Sequence, residues 1–465
     1  MALITSFVEG LKQRDKSGVI TTIKELYENQ FGLPLQHYAQ QYLFGATGLR
    51  LKVFHSISGP PQSCKSPLLF DLMGHIAASK ETGGLGGIAF LYELEDKISP
   101  TLLKSVLRKY GAIMDSSFLT MRNLTIEGAI GHMAAQVIPG YGKEFPKYDV
   151  PLVFGLDSIG GAASADTVKK ITTEGSAGKS YYDKPHFMKY FCENAGQFMG
   201  DIPMIVICIN QEKEQASSTP YGPPQKKITG GVSQLFKDGH MISATYKTWA
   251  SGDGKTVTLR TTKTSFCDAR KIEVKFHWNK YGQDADDAYH TYFDWALASA
   301  KCLADPDKGV GELRDICDVK ISDRDLVTCP QLNLKSVPAE EFEAALFAPE
   351  NAEMLDRLYT YQKIEKIKGM DEYVEYMKRK KAEAKDTTPN PSMVKTTKAK
   401  TVKKSEVSAK PVKGAKLGKA RKVDNSISLE ELMKQAKETN GAGSESEVPA
   451  ERESDKAGEG GAEVE

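Results

Sequence analysis

The densest run of chemistry-bearing residues in the chain is Gly59-Pro60-Pro61-Gln62-Ser63-Cys64-Lys65-Ser66. Its spacing nearly reproduces G-x-x-x-x-G-K-[ST]. In that loop backbone N–H groups wrap a β-phosphate, the lysine reaches the β- and γ-oxygens, and the last hydroxyl ligates Mg2+. The departure is Cys64, which stands where the motif has its second glycine; a backbone that needs positive φ or close approach to phosphate favours glycine there. A Gly/Pro-rich turn is the alternative origin of the pattern. The chemistry expected is binding of ATP with Mg2+. Phosphate chemistry also needs acids, and Val153-Phe154-Gly155-Leu156-Asp157-Ser158 closes an apolar run on a carboxylate suited to the metal or its water shell, an Asp cap of the next turn being the alternative. Tyr92-Glu93-Leu94-Glu95-Asp96-Lys97 closes another run with several acids, any of which could orient or deprotonate water, or could simply be solvated charge. A third run ends in Asn210-Gln211, amides able to sense a γ-phosphate and signal into the segment that follows.

These groups need a scaffold that brings strand ends together. Residues 51–57 read as a strand before the loop, and the spacing of Leu68, Leu69, Leu72, Met73 and Ile76 predicts a helix after it, with Pro67 tolerated in the first turn. Residues 87–92, 152–156 and 204–209 are continuous apolar runs, typical of strands buried on both faces of a mainly parallel α/β sheet. Residues 256–262 and 271–276 alternate instead, as half-exposed strands of an antiparallel edge do. Helical spacing at Leu3, Ile4, Phe7, Val8 and Leu11, and again at Val19, Ile20, Ile23, Leu26 and Tyr27, predicts N-terminal helices that dock a protomer. The expected organisation is an N-terminal helical segment (1–40), an α/β core (41–299), a small, mostly helical C-terminal unit (300–384) and a disordered tail (385–465). Gly83-Gly84-Leu85-Gly86-Gly87 precedes a strand and does not bridge strand to helix, so it reads as a turn and not as a dinucleotide fingerprint.

The 465 residues carry 62 basic and 61 acidic side chains, a near-zero balance that conceals segregation. Residues 391–425 hold eleven Lys/Arg against two acids, whereas residues 426–465 hold eleven acids against four bases, a blockwise pattern of interaction tails. Seven cysteines without a C-x-x-C pair argue against a disulfide scaffold or zinc site and for a reducing cytoplasm. Glu9, Lys12 and Arg14 interrupt the apolar start, and no run approaches the length of a membrane span, so neither export nor membrane insertion is expected.

In their order along residues 40–295 these elements resemble the RecA family of recombinases, and within it the divergent recombinases of large bacteriophages. The residues that carry the resemblance are the loop, Ala89 to Glu95 followed by Pro100, Leu156-Asp157-Ser158, Ile209-Asn210-Gln211 and Thr229-Gly230-Gly231. The resemblance implies a RecA-like P-loop ATPase core. Glu95 becomes its catalytic glutamate, Gln211 its γ-phosphate sensor, and Ser66 with Asp157 the metal pair. Residues 160–184 and 212–231 become DNA-binding loops, the first with Lys169, Lys170, Lys179, Tyr181, Tyr182 and Lys184, the second with Lys213, Tyr221, Lys226, Lys227, Gly230 and Gly231. Basic groups neutralise phosphates and aromatics support unstacked bases; solvated loop charge is the alternative.

The partners so implied are single- and double-stranded DNA, further copies of the chain in a head-to-tail helical filament, and single-strand-binding or loader proteins at the tail, in the host cytoplasm if the chain is phage-encoded. The family's two lysines that reach a neighbour's ATP fall on Lys263 and on Ser265, so one is missing, with Arg270 or Lys271 as possible substitutes. The implied activity is ATP-dependent assembly on single-stranded DNA with strand exchange. A hexameric helicase motor, or a nucleotide-binding accessory protein with little turnover, are the alternatives.

Overall fold

A computed structural model of the chain describes residues 30–110, 116–174, 193, 199–215, 225–228, 238–264, 267–278, 291–304 and 312–386. The expected N-terminal helices and the charged tail lie outside these residues. In chain order, β1 (Gly32–Pro34), α1 (Tyr38–Phe44) and β2 (Gly48–Arg50) precede β3 (Phe54–Gly59), which leads through the Gly59–Ser66 loop into α2 (Lys65–Ala77). There follow β4 (Ile88–Glu93), α3 (Pro100–Leu107), β5 (Phe118–Met121), β6 (Leu152–Asp157), α4 (Ala165–Glu174), β7 (Met204–Gln215), β8 (Gln225–Ile228), β9 (Asp238–Thr248), β10 (Gly254–Thr264), β11 (Lys271–His277), β12 (Tyr292–Asp294) and α5 (Trp295–Ala304).

The fold is mixed α/β around one large sheet, ordered β12-β11-β10-β9-β3-β7-β6-β4-β5, with β8 paired to β7. The six strands from β9 to β5 in that order are parallel, and β10, β11 and β12 extend the β9 side antiparallel. Composition explains the division. Strands β3, β4 and β6 are buried almost throughout, as sheet covered on both faces requires, whereas β11 alternates exposed and buried residues along its length. One face carries Ile57, Leu91, Val153, Ile205 and Ile207 against the Leu68, Leu69 and Met73 side of α2. The other carries Phe90, Tyr92, Phe154 and Val206 against Ile126, Ile130 and Met133.

Several expectations shift. The strand before the loop begins at Phe54, not at residue 51, because residues 51–53 turn after β2. The stretch 300–384 carries a small three-stranded sheet (Lys320–Ile321, Val327–Cys329, Leu334–Val337) beside its helices, and its Phe342, Leu346 and Leu358 share one hydrophobic cluster with Leu33, Leu43 and Trp295. Among the described residues, no helix is long and apolar enough to cross a membrane.

Candidate functional site

Parallel strands deliver their side chains to one end of the sheet, and the register fixes which residues meet there. Gly59 of β3 pairs with Gln211 of β7, Leu156 of β6 with Cys208 of β7, and Glu93 of β4 with Asp157 of β6. Crevices outside the carboxyl ends of such strands are where open α/β sheets take ligands.

The loop leaves β3 at Gly59, where a Cβ would overlap the carbonyl oxygen of Ala244 on β9, so only glycine fits. Gln62 and Cys64 both adopt φ near +60°, at 63° and 61°, a region that costs an ordinary side chain ~1 kcal/mol or more. Cys64 therefore takes the left-handed conformation that the motif normally gives to glycine. Its thiol turns inward, and burial pushes its pKa up to about 11 against the pull of Lys255 and Lys65. Lys65, the first residue of α2, folds its Nζ back onto the carbonyls of Gly59 (3.0 Å) and Pro60 (2.6 Å) and onto Ser63 Oγ (3.4 Å). Burial lowers its pKa, while Asp157, Glu212 and Glu95 pull the other way.

Facing the start of α2, Asp157 is buried and accepts a hydrogen bond from Ser66, yet among the described residues its Oδ2 has no partner. Desolvation, with lesser repulsion from Glu95 and Glu93, raises its pKa to about 6 despite Ser66 and Lys65. The cluster of acids after β4 is sorted by its partners. Glu93 is buried, pairs with Arg122 Nε at 2.8 Å and accepts the Ile98 N–H; Asp96 shares Arg122 from the exposed side. Glu95 instead reaches across to the ends of β6 and β7. It accepts from Ser158 Oγ, from Lys97 Nζ at 2.8 Å and from Gln211 Nε2 at 3.0 Å. Burial would raise its pKa, but the Lys97 and Ser158 hydrogen bonds outweigh it and hold the carboxyl below the usual range. Gly161 makes this possible, since a Cβ there would overlap the Glu95 carboxylate.

The structure thus brings Lys65, Ser66, Asp157, Glu95 and Gln211 to one place. It does not bring Lys263 there. Lys263 pairs with Met241, which pairs with Ser56, so it stands three residues back along the sheet from Gly59, two strands away. Arg270 is committed within its own chain, donating to the carbonyls of Tyr42 (2.7 Å), Gln362 and Lys363 (3.0 Å), and Lys271 pairs with Glu273 at 3.2 Å. Ser265 lies outside the described residues.

The described parts of the stretches expected to be DNA loops carry regular structure. Residues 165–174 form α4, with Lys169 exposed and Lys170 on the same helix. Strand β7 runs on through Gln215 and pairs antiparallel with β8, setting Lys213 opposite Lys227 and Glu214 opposite Lys226. The physical reason is the non-local pairing of two polar stretches that read as loop one at a time. Lys179, Tyr181, Tyr182, Lys184, Tyr221, Gly230 and Gly231 lie outside the described residues.

Two site residues escaped the sequence reading. Glu212 accepts from Ser58 Oγ at 2.9 Å and Ser243 Oγ at 3.0 Å, joining β7, β3 and β9 just behind the loop. Lys255, at the start of β10, donates to the Gln62 carbonyl at 2.9 Å. The alternation of β10 gave only a half-exposed strand; the contact depends on β9 bringing β10 beside β3. Comparison with protein-family models and with curated proteins returns no match.

Proposed function

We propose that the chain is an ATP-dependent recombinase of the RecA type, which assembles on single-stranded DNA and hydrolyses ATP between protomers during pairing and strand exchange. The observation that supports this most is the convergence at one end of the parallel sheet of Lys65 on the first turn of α2, the Ser66–Asp157 pair and the Glu95–Gln211 pair.

The residues divide the work by their chemistry. The Lys65 ammonium rests on neutral carbonyls, and exchanging them for phosphate oxygens sets its charge against ionised acceptors instead of neutral ones. Ser66 and the Oδ2 of Asp157, unpartnered among the described residues, are hard oxygen donors of the kind Mg2+ takes, and they would hold that ion. When bound, that ion neutralises charge on the β- and γ-phosphates. Glu95, held ionised, orients the attacking water; a loose phosphoryl-transfer transition state asks more for position than for base strength. Gln211 donates to Glu95 from a strand that continues directly into the β7–β8 hairpin, so a γ-phosphate that recruits the Gln211 amide also moves the hairpin. The hairpin lysines and Lys169 of α4 are the DNA contacts this reading requires, and Lys263, being remote from its own loop, serves the neighbouring protomer.

Electron microscopy of the purified chain with single-stranded DNA and a non-hydrolysable ATP analogue tests this. Helical filaments are expected; closed rings favour the helicase alternative, and bare DNA refutes assembly.

A further inference from the structure

Lys255 is a buried ammonium, 7% exposed, in an unusual setting. Its Nζ donates to the Gln62 carbonyl and lies 4.4 Å from the Tyr246 ring centroid and 5.8 Å from that of Trp278. Among the described residues no carboxylate pairs with it. Buried charges are ordinarily paired, because desolvation costs several kcal/mol; here one neutral carbonyl and two ring faces offset only part of that cost. The charge acts on the loop through the Gln62 carbonyl that it holds. Lys65 and Lys255 therefore flank the same loop, one on the carbonyls of Gly59 and Pro60, the other on that of Gln62. The counter-charge that such an ammonium calls for is an anion.

We propose that Lys255 is a second cation for the polyphosphate of a nucleoside triphosphate, supplied from the same chain, and that it leaves the Gln62 carbonyl for a phosphate oxygen when ligand binds. The inference rests on reading the Gly59–Ser66 loop as a phosphate loop. It supplies within one protomer some of the positive charge that Ser265 fails to supply between protomers.

The test is calorimetric titration of the full chain with inorganic tripolyphosphate and with pyrophosphate, in EDTA. Lys255→Gln keeps a donor for the Gln62 carbonyl and removes the charge. It is expected to weaken tripolyphosphate binding by about tenfold or more, with a smaller loss for pyrophosphate and recovery in Lys255→Arg. Lys255→Met makes the same comparison should Lys255→Gln not fold. Equal tripolyphosphate affinity in Lys255→Gln and wild type overturns the proposal, as does an equal fold-loss for both anions, which marks a loop brace and not a phosphate contact. Loss of binding in Lys65→Ala beside unchanged binding in Lys255→Gln refutes Lys255 and keeps the phosphate loop. Absence of binding in the wild type refutes both.

Discussion

Two buried carboxylates at either end of a short stretch of α2 have opposite environments. Asp71, within the helix, is 1% exposed and saturated: Lys109 (2.5 Å) and Tyr110 (3.0 Å) reach Oδ1, and Trp295 Nε1 reaches Oδ2 at 2.8 Å. Burial pushes its pKa up, yet Lys109 and Trp295 prevail and hold it below the usual carboxylate value. Asp157, facing the first turn, is 9% exposed, bonded to Ser66 and, among the described residues, open at Oδ2, and there burial prevails. Buried polar groups in folded proteins are overwhelmingly satisfied. The saturated acid is therefore architecture, tying α2 to α5, and the open one carries the oxygen that the proposed function assigns to Mg2+.

The largest expected effect sharpens the architectural half. Asp71→Asn leaves the Lys109 ammonium without its partner, and denaturant titration is expected to show a loss of ~3–5 kcal/mol. Because its folded pKa is depressed, the stability Asp71 contributes is complete above the unfolded value and fades as pH falls through the folded one, so the variant flattens the acid limb of the stability profile.

Asp157→Asn has the opposite sign. A folded pKa of about 6, against an ordinary 3.8, means that ionising Asp157 costs stability as pH rises between those values, and the cost persists above them. At neutral pH the variant is expected to be more stable, by up to ~3 kcal/mol, while ATP turnover falls by about a hundredfold. Thermal melts from pH 4 to 8 beside a turnover assay check both, and a destabilised Asp157→Asn breaks the contrast.

Gln211→Ala removes one hydrogen bond from Glu95, and denaturant titration is expected to register ~1 kcal/mol. Its larger signature is functional: ATP binding is kept while stimulation by DNA is lost, as paired binding and hydrolysis assays would register. The smallest effect belongs to Cys64→Gly, where relief of the left-handed conformation is offset by lost thiol burial, leaving a change within ~1 kcal/mol in the same titration. In the wild type, a thiol pushed up to about 11 is expected to alkylate at pH 8 far more slowly than a free cysteine.

Local signals made half of this legible. The continuous apolar runs of β4, β6 and the first half of β7 announce parallel strands, and the loop spacing places Lys65 at a helix start before any contact is known. What stayed hidden depends on distant partners. Glu93 separates from Glu95 only through Arg122, which follows β5, and through the space that Gly161 leaves open. The extension of β7 past residue 209 requires β8 to pair with it, and Lys255 meets Gln62 only after β9 and β10 have closed beside β3. The saturation of Asp71 draws on Trp295, 224 residues away.

The most direct test of the central claim is the rate of ATP hydrolysis by the purified chain, with and without single-stranded DNA, beside Lys65→Ala and Glu95→Gln. Expected are DNA-stimulated hydrolysis by the wild type, loss of ATP binding in Lys65→Ala, and retained binding without turnover in Glu95→Gln. No hydrolysis by the wild type under either condition, or full turnover in Glu95→Gln, would contradict it.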